Sequence, residues 1–457
     1  MFEAIFRRSD CPTGIRLTAQ PARKVGPVFV PDRPWEKMFN VCTIIQDGSV
    51  YRAWSSTAYF ESTDGSNWDR PLLGRVKVDG HDTNLTGFDL HNGTVFVDPS
   101  GPESERYKWV SEGSVGAEQY EEFCKRNPDR WDPRSHRPDA GFYAAVIGGV
   151  SPDGIAWSKL PDPLVVEHSD TQVTGYWDRL LRKYVVYTRN YMIAPRSERD
   201  PHQGFRVWWE SGRRSIGRTE SENFRQFPLS EVILEPGPEM QPSDLLYTNC
   251  RTSIPGGPDL HLMFPAVWHA AVDDSTSILL ASSTDGRVWN YVPGGPVFGT
   301  GGCGEWDGGC VFAHPNLIEL PNGDFALPYT GYIFPHKYPR GQWEYATGYA
   351  VWPKGRLIAL ETDAVGEFAT VALMPPGRKL RVNALTKQAG SITVEVADPD
   401  RVPIPGRTLS DCDPVVGDHY RKPITWKGQD DLGHPEGSPV VLRFRLDRAK
   451  LFELDFE

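Results

Sequence analysis

The chain has 457 residues, with 49 Lys and Arg against 60 Asp and Glu, a formal net charge of −11. The negative surplus disfavours nucleic acid or an anionic membrane as the main partner, and no stretch approaches the roughly 18 apolar residues of a membrane span. The length admits one large repeat domain beside a smaller one, and 44 Gly with 40 Pro suits many short strands joined by turns.

Five β-rich units follow one another. The first has Val41-Cys42-Thr43-Ile44-Ile45, an Asp47-Gly48 turn, Val50 to Trp54, and Tyr59. The second has Gly93 to Val97, Arg106 to Val110 and Phe142 to Val150, with a charged, Pro-rich insert at roughly 113–140 that holds one short helix around Ala117–Lys125. The third has Val173 to Trp177, Lys183 to Tyr187, Phe205 to Trp209 and Arg214 to Arg218. The fourth has Cys250 to Ile254, His261 to Phe264 and Ser277 to Ser282. The fifth has Val311 to Leu320, an Asn322-Gly323 turn, Phe325 to Tyr329 and Tyr345 to Trp352. Alternating apolar and polar residues mark these runs as half-buried antiparallel strands.

One phrase recurs at the ends of these units. It reads Ser62-Thr63-Asp64-Gly65-Ser66-Asn67-Trp68, then Ser151-Pro152-Asp153-Gly154-Ile155-Ala156-Trp157, then Ser283-Thr284-Asp285-Gly286-Arg287-Val288-Trp289. Asp-Gly supplies the positive-φ turn of a tight hairpin, Ser bonds back to turn amides, and Trp covers the hairpin. Ser221-Glu222-Asn223-Phe224 opens a degenerate copy. Such a repeat means stacking of one supersecondary unit. Five units of three or four strands predict a five-bladed β-propeller over 1–356, with a β-solenoid as the structural rival. From about 357 the period-2 runs Leu380 to Ala384, Ser391 to Val396, Val440 to Arg445 and Leu451 to Phe456 predict a C-terminal β-sandwich over 357–457.

The start, Met1 to Arg8, lacks the apolar core of a signal peptide, so the expectation is a soluble, cytoplasmic protein. The seven cysteines include no Cys-x-x-Cys, so neither a zinc site nor a redox pair is indicated. Cys303 and Cys310 are close enough in sequence to bridge; most of the others read as buried thiols.

In a propeller the segment entering each innermost strand faces the axis. Those segments are Pro34-Trp35-Glu36, Phe88-Asp89-Leu90-His91-Asn92, Ser169-Asp170-Thr171-Gln172, Ser243-Asp244-Leu245-Leu246-Tyr247 and Glu305-Trp306-Asp307-Gly308-Gly309. Each carries a carboxylate. For one acid alone, a turn or cap role is the simpler explanation, and the convergence is what points to chemistry. Carboxyls crowded in one pocket repel, so some gain protons while others stay ionised, the condition for a general acid beside a base or nucleophile. A glycosidic bond is cleaved by such a pair.

The five-unit layout, the Ser-x-Asp-Gly-x-x-Trp hairpins and the terminal sandwich resemble the five-bladed propeller glycosidases of families 32, 43, 62 and 68, with the domain order most like the β-fructofuranosidases of family 32. That family carries its first-blade Asp in Trp-x-Asn-Asp-Pro-x-Gly; here Pro34-Trp35-Glu36-Lys37-Met38-Phe39-Asn40 occupies the place and Glu36 takes the acid's role. Its second-blade Arg-Asp-Pro has a literal match in Arg199-Asp200-Pro201, in a polar loop between strands, read as coincidental. Its Glu-Cys motif is absent, which points away from fructose to another furanoside or pyranoside.

The expected activity is therefore hydrolysis of terminal glycosidic bonds in an oligosaccharide or glycoside, without a cofactor or metal. Glu36 and Asp170 are the candidate base or nucleophile and transition-state stabiliser, with Asp244, Glu305 or Asp307 as acid. Asp89, His91, Asn92, Gln172, Tyr247 and Asn249 are candidate hydroxyl ligands, as are Arg251, His269 and His314, and Trp35 and Trp306 are candidate stacking platforms. The alternatives are a non-catalytic carbohydrate-binding propeller and a lyase or phosphorylase on the same scaffold.

Overall fold

The structure, a computed structural model, describes residues 12–36, 41–132, 135–137, 141–192, 213–339 and 344–457. Cys11, the Lys37–Asn40 half of the first-blade segment, Phe205 to Trp209 and Arg199-Asp200-Pro201 lie outside these residues. The protein is nearly all-β; its α-helix among the described residues is Ala117–Arg126, inside the insert of the second unit. No described helix is long and apolar enough to cross a membrane.

The chain separates into two compact units. One comprises Ala22–Tyr291 and Pro296–Val351; the other comprises the described part of the first 21 residues, Val292–Gly295 and Trp352–Glu457.

The larger unit is a succession of antiparallel sheets in chain order. The first contains Val41–Asp47, Val50–Ser55 and Tyr59–Ser62. The second is led by Thr94–Val97, Tyr107–Val115 and Phe142–Ser151, and the third by Thr174–Asp178, Lys183–Met192 and Arg213–Ser221. Where the sequence suggested one fourth sheet, two four-stranded ladders run end to end. Asp244–Thr248 leads directly into Arg251–Ile254, and Gly257–Met263 into Ala266–His269. Cys250 at φ 43° and the Phe264-Pro265 step, which lacks a donor, interrupt the ladder. Single bonds carry it across, Phe264 N–H to Cys250 O at 3.2 Å and Leu279 N–H to Pro265 O at 3.0 Å. The fifth sheet holds Cys310–Ala313, Phe325–Tyr332 and Tyr345–Trp352, and it is completed by Arg23–Phe29 from the other end of the chain, Arg23 pairing with Val351. Sequence patterning missed that strand because Gly26-Pro27 breaks its alternation.

Polar side chains join each sheet to the next. Thr43 Oγ1 accepts from Val95 N–H at 3.1 Å. Thr94 Oγ1 donates to Val173 O and accepts from Gly175 N–H. Gln172 binds Asn249 and the Cys250 N–H. Thr276 and Thr252 bind Val311 and Leu317. The succession then returns to its start: Ile44 N–H donates to Pro315 O, and Asn316 Nδ2 to Ile44 O.

The recurring phrase forms the turn its residues imply. In each copy Ser Oγ accepts the Gly N–H (Gly65 2.8 Å, Gly154 2.9 Å, Gly286 2.9 Å), and Asp Oδ1 accepts the two amides that follow. The Gly residues have φ of 70°, 79° and 68°, the left-handed region a Cβ disfavours. Each Gly carbonyl then docks on the preceding sheet: Tyr349 OH donates to Gly65 O at 2.7 Å, Trp54 Nε1 to Gly154 O at 2.7 Å, and Tyr187 OH to Gly286 O at 2.6 Å.

The smaller unit is built on one five-stranded antiparallel sheet, in the order Arg16–Ala19, Ile358–Ala369, Val441–Phe456, Leu380–Ala397, Asp418–Pro423. Runs that read as four short strands are two long ones, the second of the pair shifting register between Thr386 and Ser391. Both halves of Leu380–Ala397 feed one core, through Leu380 and Val382 on one side of the shift and Ile392 and Val394 on the other. Cys303 and Cys310 do not bridge: both are free, Cys310 buried and Cys303 exposed.

Candidate functional site

A cavity of about 590 Å³ opens in the larger unit where the leading strands begin. Every sheet contributes to it: Cys42 and Ser56 from the first, His91 and Asn92 from the second, Thr171 and Gln172 from the third. Tyr247 and Thr248 come from the fourth, and Cys310, Phe312 and His314 from the fifth. The stretch from Phe334 to Tyr345, among its described residues, completes the rim. A second depression of similar volume, lined by Ile45, Ser253, Pro255 and Leu320, has Glu319 as its carboxylate among the described lining residues. The first has Glu344 among its lining residues, exposed at the rim, and it alone has a pair of further carboxyls bonded to described residues of its lining, so it is where paired acid chemistry has its groups.

Two carboxyls stand beside that cavity, against the residues that line it. Glu112 lies on Tyr107–Val115, the second strand of its sheet. Asn92 Nδ2 donates to its Oε1 at 2.9 Å, Thr171 Oγ1 donates to the same oxygen at 3.2 Å, and Ser111 Oγ to Oε2 at 3.3 Å. Burial pushes the Glu112 carboxyl above the usual range and the nearby Asp170 charge pushes it the same way, against the Asn92 hydrogen bond. Asp170 goes in the opposite direction. Burial disfavours its charge, but the Arg189 guanidinium and the Thr171 N–H outweigh burial and hold it well below the usual carboxylate range. Arg189 Nη1 donates to Asp170 Oδ2 at 2.5 Å, and the same guanidinium donates to Thr171 O and to Tyr247 O. Its carbon lies 4.4 Å from the Tyr247 ring centroid, which ties this anion to the cavity wall.

His314 is a neutral prop rather than a charge. Burial pushes His314 down to about 4; its Nδ1 lies 3.5 Å from Gln172 Nε2 and its Nε2 2.8 Å from Thr330 Oγ1. His91 takes its position from Asp89, whose Oδ1 accepts the His91 N–H at 2.9 Å, and Asn92 sits at φ 49°. Among the described residues, no group of three or more His, Cys, Asp or Glu is placed to hold a metal ion.

The sequence-predicted residues divide. Asp170, His91, Asn92, Gln172, Tyr247 and His314 are brought together around the cavity, with Asp89 behind His91 and Asn249 donating to Gln172 O. The others serve elsewhere, which corrects the expected five-fold convergence of acids. Glu36 is buried against Arg70, at 2.8 Å, and accepts the Asp32 N–H. Asp244 is bonded to His269 at 3.0 Å and to the Gln241 N–H, and His269 turns its other nitrogen to Ser277. Glu305 is exposed and accepts the Gly302 N–H, while Asp307 pairs with Lys24 and Tyr329. Trp35 donates to Asn84 Oδ1, and Trp306 packs on Tyr329 at 5.3 Å. Arg251 is buried beneath Tyr176 and contacts His261. The residue that sequence reasoning missed is Glu112. Its signal was a polar Ser111-Glu112 step inside a strand, which reads as a strand end.

No family model matches the chain, and no curated protein matches it. Its structure is similar, at low sequence identity, to solved glycoside hydrolases of families 43, 62 and 32. The α-L-arabinofuranosidase from Podospora anserina in complex with cellotriose is 12% identical, covering 75% of this chain and 99% of its own, with a TM-score of 0.45. The family-43 arabinoxylan arabinofuranohydrolase from Bacillus subtilis in complex with cellotetraose is 10% identical, covering 93% and 97%, with a TM-score of 0.36. The family-32 β-fructofuranosidase of Bombyx mori is 9% identical, covering 99% and 95%, with a TM-score of 0.38. At TM-scores this low the likenesses carry no weight for activity, which has to be argued from the groups around the cavity.

Proposed function

We propose that this protein is a glycoside hydrolase that cleaves a terminal glycosidic bond in the axial cavity of a five-bladed β-propeller, with Glu112 as general acid and Asp170 as the ionised partner. The fold part of this reading is supported by the five side-chain junctions between successive sheets, which return from the fifth sheet to the first. The two ladders of the fourth sheet are one interrupted blade, and Arg23–Phe29 closes the ring through the fifth. A β-sandwich follows, in which the long strands of the smaller unit fold both their halves over one core.

One observation carries the chemistry. Two carboxyls bound by the same residue, Thr171, have proton affinities pushed in opposite directions. That is the arrangement acid-assisted cleavage of a glycosidic bond requires. Glu112 gives its proton to the glycosidic oxygen as the carbon–oxygen bond breaks, and the aglycone leaves as an alcohol. The positive charge that develops on the sugar ring faces the Asp170 carboxylate, which Arg189 keeps ionised. Water then adds to the anomeric carbon and yields its proton to the Glu112 carboxylate, which restores the acid. Asn92, Thr171 and Gln172 present donors and acceptors to the sugar hydroxyls.

The test is turnover of a panel of para-nitrophenyl furanosides and pyranosides by the full chain and by Glu112→Gln and Glu112→Ala. For the glycoside that is cleaved, both variants should lose about a hundredfold or more in kcat. Dinitrophenyl glycosides, whose leaving group needs no proton, should recover most of the loss. An unchanged rate in Glu112→Ala removes Glu112 from the mechanism. Binding of sugar without turnover of any glycoside makes the protein a lectin-like propeller.

A further inference from the structure

The cavity has two chemically different halves. The polar half comes from the second and third sheets: His91, Asn92, Thr171 and Gln172, with Glu112 and Asp170 against them. The other half comes from the fourth and fifth sheets and the segment after Phe325–Tyr332. Its wall is Tyr247, Cys310, Phe312, Tyr332, Phe334 and Pro335.

That second wall is closed by ring-on-ring packing. His336 is gripped edge-on by Tyr247 at 4.3 Å and by Trp268 and Phe312, each at 5.2 Å between centroids. Phe312 in turn meets Tyr247 at 5.1 Å and Tyr332 at 5.9 Å. Burial, with Lys337, Arg214 and Arg189 nearby, pushes His336 down to about 3, so the ring is neutral near pH 7. Burial pushes the Cys310 thiol up to about 12, so it too is uncharged. The wall is thus mainly aromatic: Arg189 and Arg214 lie behind it against the Tyr247 ring, 4.4 Å and 4.9 Å from its centroid, and Lys337 and Glu344 stand at its exposed edge.

A sugar ring carries hydroxyls around its whole edge, and each one buried without a partner is penalised. The polar half can meet that demand. The aromatic half offers ring faces, a thiol and two prolines instead, a surface suited to a flat apolar body. Glu112 stands with the polar half, where the bond to be cleaved must lie, so what leaves must occupy the other half.

We propose that the aromatic half is the aglycone subsite and takes a phenol or a comparable flat, apolar alcohol, so that the substrates are aryl-type glycosides rather than oligosaccharides. This rests on the hydrolase reading of the same cavity. It assigns to Phe312, Phe334 and Tyr247 the selection of the leaving group.

Two measurements test it separately from that reading. The first is binding of methylumbelliferone, followed by its fluorescence, against xylobiose and sucrose, followed by calorimetry, on Glu112→Gln protein. Methylumbelliferone should bind at least about tenfold tighter than either sugar, and Phe334→Ser should weaken it about fivefold or more. Pro339→Ser is the second rim variant should Phe334→Ser fail to fold. The second measurement is kcat/KM for unactivated phenyl glycosides against disaccharides of the same terminal sugar, where the phenyl glycosides should lead by about tenfold or more. Disaccharides cleaved as well as or better than phenyl glycosides overturn this proposal and leave the hydrolase standing. Equal binding of methylumbelliferone and sugars, or indifference to both rim variants, overturns it as well. Tight methylumbelliferone binding that weakens in Phe334→Ser, with no glycoside cleaved, supports the aromatic subsite and defeats the hydrolase reading alone.

Discussion

Glu112 and Asp170 are joined through one residue between them: the Thr171 N–H donates to Asp170 Oδ1 at 2.7 Å while the Thr171 hydroxyl donates to Glu112 Oε1 at 3.2 Å. The backbone that begins the third sheet therefore fixes the spacing of two groups drawn from different sheets. Charge separates their behaviour. Among the described residues Asp170 has a guanidinium paired with it and Glu112 does not, so within one desolvated pair the proton resides on Glu112.

That division predicts the pH dependence of Glu112→Gln. The folded-state pKa of Glu112 lies above its unfolded value of about 4.3. The folded protein binds this proton more tightly, so the contribution to stability is fully present below about pH 4.3 and is lost as pH rises through the folded value. Gln cannot titrate. Calorimetric melting of the two proteins should therefore diverge in favour of Glu112→Gln as pH is raised from 4 to 8, by on the order of 1 kcal/mol. In activity, the alkaline limb of the wild-type kcat/KM profile should report loss of the same proton.

Asp170→Asn should behave with the opposite sign. The Arg189 side chain is 1% exposed, and removing its anion leaves a buried charge uncompensated, a loss of about 3–5 kcal/mol. The folded-state pKa of Asp170 is depressed, so its contribution is present above the unfolded value of about 3.9 and fades as pH falls through the folded one. Urea unfolding should show the full penalty at pH 7 and a smaller one at pH 3. A penalty that is equal at both would mean that Asp170 is not held ionised by Arg189.

What the sequence disclosed, and what it hid, follows from the range of the interactions. Ser62-Thr63-Asp64-Gly65 and its copies were legible because the turn is satisfied within five residues, by Ser Oγ and Asp Oδ1 on nearby amides. The same locality made the acid windows misleading. Asp89 and Glu305 are spent on amides two or three residues away, as Asp residues before strands commonly are. Glu112 was hidden for the converse reason. Two of its partners, Asn92 and Thr171, are 20 and 59 residues distant, and the nearby one, Ser111, makes only a polar step that reads as a strand end. The closing strand Arg23–Phe29 pairs with Tyr345–Trp352 at a still greater separation, which no local pattern encodes.

Gly154→Ala should destabilise the larger unit through both backbone strain and a clash. At φ 79° the added Cβ is strained whatever the space, and it would lie 2.9 Å from Trp54 Cζ2, on a ring 0% exposed. Trp54 cannot yield without losing its bond to the Gly154 carbonyl. A cost of about 1–3 kcal/mol is expected. Gly48→Ala is the control: it has φ 67° but no atom within 4 Å of the added Cβ, so denaturant midpoints of the two variants separate backbone strain from the clash.

Glu36 is where sequence and structure disagree most sharply, and a single substitution decides between them. As the first-blade acid of a glycosidase, Glu36→Gln would abolish turnover. In the structure its side chain is 0% exposed and bound to Arg70 Nε at 2.8 Å and to the Asp32 N–H at 3.0 Å, and neither partner lines the cavity, whereas Asn92 and Thr171, which hold Glu112 and Asp170, do. Gln keeps the shape and an acceptor oxygen but removes one of the charges facing Arg70, which also pairs with Asp32 at 3.1 Å and whose side chain is 17% exposed. Water reaches that guanidinium in part, so the loss should fall below the full penalty for a buried pair, at about 1–3 kcal/mol. Thermal melting should register that drop, while kcat on whichever glycoside is cleaved should stay within about twofold of wild type. Loss of turnover with an unchanged melting temperature would return Glu36 to the chemistry and require the first leading strand to present it to the axis.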